Sequence, residues 1–253
     1  AEDTSSQQVK SFTSDGFVQG TDVPNTSGES GVYWAWDAGT STVSNTDGSI
    51  TTNVRASQTN GFSIATYTGN GSANQTLGHG LNAAPAFVII KDRTSSQNWA
   101  VLHTSAGTLG TLDGGTNYKL LELSSTDAAR DASYNTIWHP TNTTVKIGEG
   151  ASSAHWTNKS GDNYVMYAWA PVEGFSSFGS YEGNGSADGP FVFTGHRSQF
   201  LLVKQSSASG EDWWIVDTTR ETFNPQDQIL LPNSNNSEIT VSNPIIDILS
   251  NGF

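Results

Sequence analysis

The heptapeptide YTGNGSA at residues 67–73 returns as YEGNGSA at residues 181–187, and no other feature restricts the fold so sharply. Asn70 and Asn184 lie about 114 residues apart, as do Trp99 and Trp213, while FVIIK at 87–91 matches FLLVK at 200–204 at nearly the same spacing. A unit of that length is the size of one small β-sandwich domain, used more than once. A second pair of segments extends the pattern: NTSGESGVYWAW at 25–36 aligns with NKSGDNYVMYAW at 158–169, and SDGF at 14–17 is echoed by SNGF at 250–253.

The repeats give an expected organisation. Residues 1–38 read as the closing segment of a β-module, and 39–58, rich in Gly, Ser and Thr, as a linker or edge hairpin. Residues 59–172 read as a complete module, and 173–253 as a module lacking its closing strand. The segment 17–36 is expected to pair into that last module, either by folding back within its own chain or by strand donation to a neighbour.

Turn chemistry says what the modules are made of. Asn-Gly begins at Asn60, Asn70, Asn184 and Asn251, and Asp-Gly at Asp15, Asp47, Asp113 and Asp188; such pairs accept the positive φ of a type I′ hairpin turn. Between them lie short runs of aromatic and β-branched residues at 32–36, 62–67, 87–91, 99–103, 164–169, 200–204, 213–217 and 245–249, expected as strands. A helical signal occurs at 125–130, where Ser125 precedes Asp127, Ala128 and Ala129. With 14% charged residues the chain is poor in the charge-laced faces that support long helices. The predicted class is all-β, as tandem antiparallel β-sandwich modules.

Eleven basic residues against twenty-four acidic ones leave a net charge of −13, which repels phosphate backbones and anionic headgroups. Neither nucleic acid nor membrane is expected as a partner, and no apolar run approaches the roughly 20 residues that span a bilayer. The chain has no cysteine, which removes thiolate nucleophiles and Cys-ligated metals.

The recurring motifs, together with residues 172–197, DTTRETFNP at 217–225 and IDILSNGF at 246–253, resemble a domain recurrent in structural proteins of tailed bacteriophages, many of them marine. The resemblance covers most of the chain and implies jelly rolls of the concanavalin or laminin-G type, carried on tail fibres, spikes or capsid-surface fibres. It implies a non-enzymatic virion-surface protein, extracellular, whose partners are other virion proteins, further copies of itself and cell-surface glycans. Two alternatives stay open: a filament-forming or capsid-decorating module with no ligand, and a secreted polysaccharide-degrading or carbohydrate-binding module.

Site chemistry is sparse. His79, His103, His139, His155 and His196 lack the spacings that ligate zinc. Gly69–Gly71 and Gly183–Gly185 imitate a dinucleotide loop without its third glycine, and no G-x-S-x-G elbow occurs. Glu149, Glu173, Glu182 and Asp188 stand as glycosidase carboxylates by elimination, against a solvated-surface reading. No cofactor is expected; calcium is left open by analogy with other jelly rolls, although no D-x-D-x-D-G loop is present. Trp36/Trp169 and Trp99/Trp213 recur and read as buried rings, whereas Trp214 must face away from Trp213. His155 and Trp156 replace Val23-Pro24 of the earlier copy. With Trp214 they are the candidate contacts for a sugar or a neighbouring chain, against a local packing role, and Trp156 is expected to be more exposed than the four shared tryptophans.

Overall fold

A computed structural model describes residues 8–21, 25–112, 115–130, 139–147, 156–243 and 245–253. Its strands, in chain order, begin with β1 (Val9–Phe12), β2 (Phe17–Gln19), β3 (Val43–Asn45), β4 (Thr52–Ser57), β5 (Phe62–Thr68) and β6 (Gln75–Gly78). Then come β7 (Phe87–Asp92), β8 (Ala100–His103), β9 (Thr108–Leu112), β10 (Gly115–Tyr118), β11 (Leu120–Glu122), β12 (His139–Pro140), β13 (Thr144–Ile147) and β14 (Asn163–Trp169). The last are β15 (Phe200–Val203), β16 (Trp214–Asp217), β17 (Gln228–Ile229) and β18 (Ile239–Thr240). Every ladder between these strands is antiparallel, and the described residues contain no α-helix.

Seven strands form one sheet in the order β11-β8-β7-β14-β5-β4-β3, and β12-β13-β6 form a smaller one. Alternation along the large sheet points Val54, Ala65, Tyr67, Val88, Ile90, Leu102, Tyr164 and Met166 to one side, where Leu77, Val145 and Ile147 of the small sheet meet them in a single core. Tyr67 and Tyr164 stack at 5.1 Å between ring centres, and the Tyr67 hydroxyl donates to Thr157 O at 2.5 Å. This satisfies the polar end of a ring otherwise surrounded by hydrocarbon.

The continuous apolar run of β7 has its own cause, because both faces of the strand are buried. Val88 and Ile90 enter the first core; Phe87 and Ile89, with Val101 and Leu121, form a second cluster on the far side of the sheet, capped by Trp213 and by the partly buried Leu202 and Phe178. The later repeat therefore packs on the back of the sheet built by the earlier one. Its hairpin β15–β16 has the register of β7–β8: Phe200 faces Asp217 as Phe87 faces His103, and Leu202 faces Ile215 as Ile89 faces Val101.

The stretch 39–58 takes the edge-hairpin form of its two readings: β3 pairs with β4 at the edge of the large sheet, and Val54 enters the core. Several expectations are corrected. The run 32–36 joins no ladder, and 245–249 contributes a single bridge, Ile246 to Gln226. The segment 125–130 is not helical: Arg130 exchanges backbone bonds with Leu120 at 2.9 and 3.0 Å, so the free edge of β11 outcompetes a short helix. The Asn-Gly pairs are not type I′ turns, which need positive φ at both central residues: Gly61, Gly71 and Gly185 take it, but among the described non-glycine residues only Asn74 and Asn82 do. Instead the Asn side chain makes the turn: Asn70 Oδ1 accepts from Ser72 N at 2.9 Å and Asn184 Oδ1 from Ser186 N at 3.0 Å. Asp113-Gly114 lies outside the described residues.

If β7 is buried on both faces, Ile89→Ala and Ile90→Ala should each cost about 2–5 kcal/mol in denaturant unfolding. Val43→Ala, on the exposed edge strand, should change stability by about 0.5 kcal/mol or less.

Candidate functional site

The two repeats meet at a seam built around one carboxylate. Trp213 is buried in the second cluster and its Nε1 donates to the backbone oxygen of Glu122 at 2.9 Å. The Glu122 side chain, also buried, accepts from Asn98 Nδ2 and Arg130 Nη2. Burial pushes its carboxyl above the usual range, further than the Arg130 guanidinium and the Asn98 amide pull it down. Arg130 also lies over Trp156, 4.7 Å from the ring centre, so the guanidinium ties together an acid and an aromatic from distant parts of the chain.

Beside this seam is an open groove of about 420 Å³ lined by Trp99, Leu123, Ser124, Pro232, Asn233, Ser234 and Asn235. Its floor combines an aromatic ring with neutral amides and hydroxyls. Asn233 is itself positioned: Oδ1 accepts from Trp213 N at 3.0 Å and Nδ2 donates to Asp212 at 2.6 Å. A second depression, of about 290 Å³, crosses the large sheet between Thr51, Asn53, Thr66, Thr68, Arg93 and Asn163.

Among the described residues, those singled out from sequence fall on separate segments of the chain. His155 and Glu149 lie outside the described residues. Trp156 is half-buried against the first core, with Arg130 on its ring, while Trp214 lies half-buried in β16, on a different element. The expected order of exposure holds for Trp213, which is buried, and fails for Trp36, which is more exposed than Trp156; Trp99 and Trp169 are half-buried, as Trp156 is. Packing and a cation partner thus take up Trp156, and the segment carrying Trp36 joins no sheet. Glu173, Glu182 and Asp188 are exposed.

The histidines serve the fold where their bonds are described. His79 is buried, receives Leu81 N on Nδ1 at 3.2 Å and lies 3.2 Å from Thr141 O through Nε2, and burial lowers its pKa. His103 Nδ1 accepts from Ser105 N at 3.1 Å after β8. In the later repeat Asp217 does the same after β16, accepting Thr219 N at 3.1 Å and Arg220 N at 2.9 Å. Among the described residues no three His, Asp or Glu side chains converge on a cation site.

Asp217 anchors the second polar centre, which sequence reasoning did not single out. Arg220 Nε donates to it at 2.6 Å, Nη1 reaches Glu238, and Nη2 donates to Ile215 O at 3.2 Å. Burial pushes the Asp217 carboxyl up, but the bonds from Arg220 and the turn amides outweigh it and hold the group below its ordinary range. The signal for this centre was the D-x-x-R spacing, which lets the arginine fold back on the carboxylate closing the strand.

Fold and site together define an all-β protein of antiparallel sheets, its polar centres serving mainly as struts. The whole chain, residues 1–253, matches the family described as a domain of unknown function, DUF7483, and belongs to it. No curated protein and no solved structure matches the chain.

Two outcomes follow for solution measurements. Asp217→Asn should cost about 3 kcal/mol at neutral pH by weakening a buried ion pair. Because the native carboxyl titrates low, its contribution is complete above the unfolded-state value of about 4 and is lost as pH falls through the folded value, so the variant should show a shallower acid limb. Excess chelator should leave the melting temperature unchanged; a fall would point to a resident cation, calcium first.

Proposed function

We propose that this chain is a non-enzymatic structural protein of a bacteriophage virion surface, tail fibre-like or spike-like, built of tandem jelly-roll modules and offering shallow polar surfaces to cell-surface glycans. The observation that carries this reading is the reuse of one hairpin register, β7–β8 and β15–β16, with the later copy packed on the back of the earlier sheet. Stacked repeats of this kind make extended appendages, since each unit contacts its neighbour through a defined seam. The strong acidity favours solubility. The motif resemblance supplies the virion context, including other virion proteins and further copies as partners.

For glycan contact, the groove floored by Trp99 is the best-shaped surface, because sugar rings stack on indoles while amides and hydroxyls bond their rims. His155, Trp156 and Trp214 are the further contact candidates. The chemistry is binding: Glu122 and Asp217, the buried carboxylates of the two polar centres, are held by arginines.

Antibody labelling of intact particles carrying this chain, viewed by electron microscopy, should place it on a fibre, spike or capsid surface; label absent from particles would overturn the reading. On a glycan array the protein should bind without releasing reducing ends. Trp99→Phe should weaken that binding about two- to tenfold, the scale of one stacked ring.

A further inference from the structure

The two repeats differ in one respect that sequence equivalence makes measurable. Phe62, Tyr67, Leu77 and Met166 are 4%, 5%, 0% and 0% exposed, whereas their counterparts Phe175, Tyr181, Phe191 and Tyr33 are 61%, 47%, 57% and 72% exposed. In the first repeat Phe62 and Tyr67 lie on β5 and Met166 on β14, which pairs between β5 and β7, while Leu77 of β6 shares the first core with Tyr67 and Met166. In the second, β15 pairs with β16 alone among the described residues. Four large apolar side chains at core positions, left in water, are a surface that calls for a cover.

The cover is present in the chain. Residues 25–36 are the sequence equivalent of 158–169, which contains β14, and they already hold part of its local structure. Glu29 N donates to Thr26 O at 3.1 Å as Asp162 N donates to Lys159 O at 3.3 Å, and Gly28 and Gly161 take φ of 87° and 83°. Trp36 meets Phe200 at 5.7 Å between ring centres, as Trp169 meets Phe87 at 5.2 Å, and Trp34 adds a contact to Phe200 at 5.8 Å. The rings of Trp34 and Trp36 on Phe200 hold the segment beside β15, and its end is anchored to the first repeat, where Asn60 Nδ2 donates to Asp37 Oδ2 at 3.1 Å.

We propose that residues 25–36 are the closing strand of the second repeat, inserting within their own chain between 175–182 and β15, with Trp36 facing Phe175 and Phe200. Asn25 then brackets the Gly183–Gly185 loop as Asn158 brackets Gly69–Gly71. There Asn158 Oδ1 accepts Asn70 N at 2.9 Å, and its Nδ2 donates to Asn70 Oδ1 at 3.1 Å and Ser72 O at 2.8 Å. In the present arrangement a Cβ built on Gly183 or Gly185 meets nothing within 4 Å, so the second loop has room for its bracket. The inference does not rest on the virion reading.

The chain has no cysteine, so paired substitutions test this cleanly. Asn25→Cys/Asn184→Cys in the full chain should oxidise to a disulfide at monomer mass, as should the reference pair Asn70→Cys/Asn158→Cys. In the unsubstituted protein, hydrogen exchange at 32–36 should be slowed relative to coil, as in 165–169. A disulfide found at dimer mass would assign the slot to a second copy and overturn closure within the chain. Free thiols in the 25/184 pair, or exchange at 32–36 at coil rates, would overturn the strand itself.

Discussion

Burial of both faces of β7 is the constraint from which the arrangement of the chain follows. A strand reading Phe-Val-Ile-Ile cannot turn either side to water, so the sheet that contains it needs two covers. The small sheet β12-β13-β6 provides one. The other is Trp213 with its neighbours from the later repeat, and the indole nitrogen is satisfied by Glu122 O at the far edge of the same sheet. The two repeats are thereby joined through one seam.

That seam explains why its polar residues are buried. Glu122 lies at the end of β11, where Asn98, Arg130 and the Trp213 indole converge on it. A carboxylate here costs desolvation, which raises its pKa, and the cost is tolerable because Arg130 and Asn98 answer it. The Asp217 centre solves the same problem at the end of β16 with a single arginine that contacts carboxylate, backbone oxygen and Glu238 together.

Much of the fold was legible because its signals are local. The strands containing Phe62, Phe87, Tyr164, Phe200 and Trp214 follow from short β-branched and aromatic runs, and the hairpin equivalence follows from the spacing of FVIIK and FLLVK. The failures fall where tertiary partners decide. Ser125–Arg130 carries a helix-start signal, yet the open edge of β11 captures Arg130. The run 245–249 has strand composition but forms a single bridge, Ile246 to Gln226, because composition does not supply a neighbour. For the site, Trp156 looked like a free aromatic because Arg130, which lies over it, is far away in sequence. Glu122 gave no signal at all, since its partners Asn98, Arg130 and Trp213 come from three separate segments.

The later repeat stabilises the earlier sheet through Trp213. Native-state hydrogen exchange on Trp213→Phe, which removes the indole donor while keeping an aromatic ring, tests it most directly. Amides of β7, β15 and β16 are expected to lose protection together. Loss confined to β15 and β16, with β7 protected as in the unsubstituted protein, would contradict it.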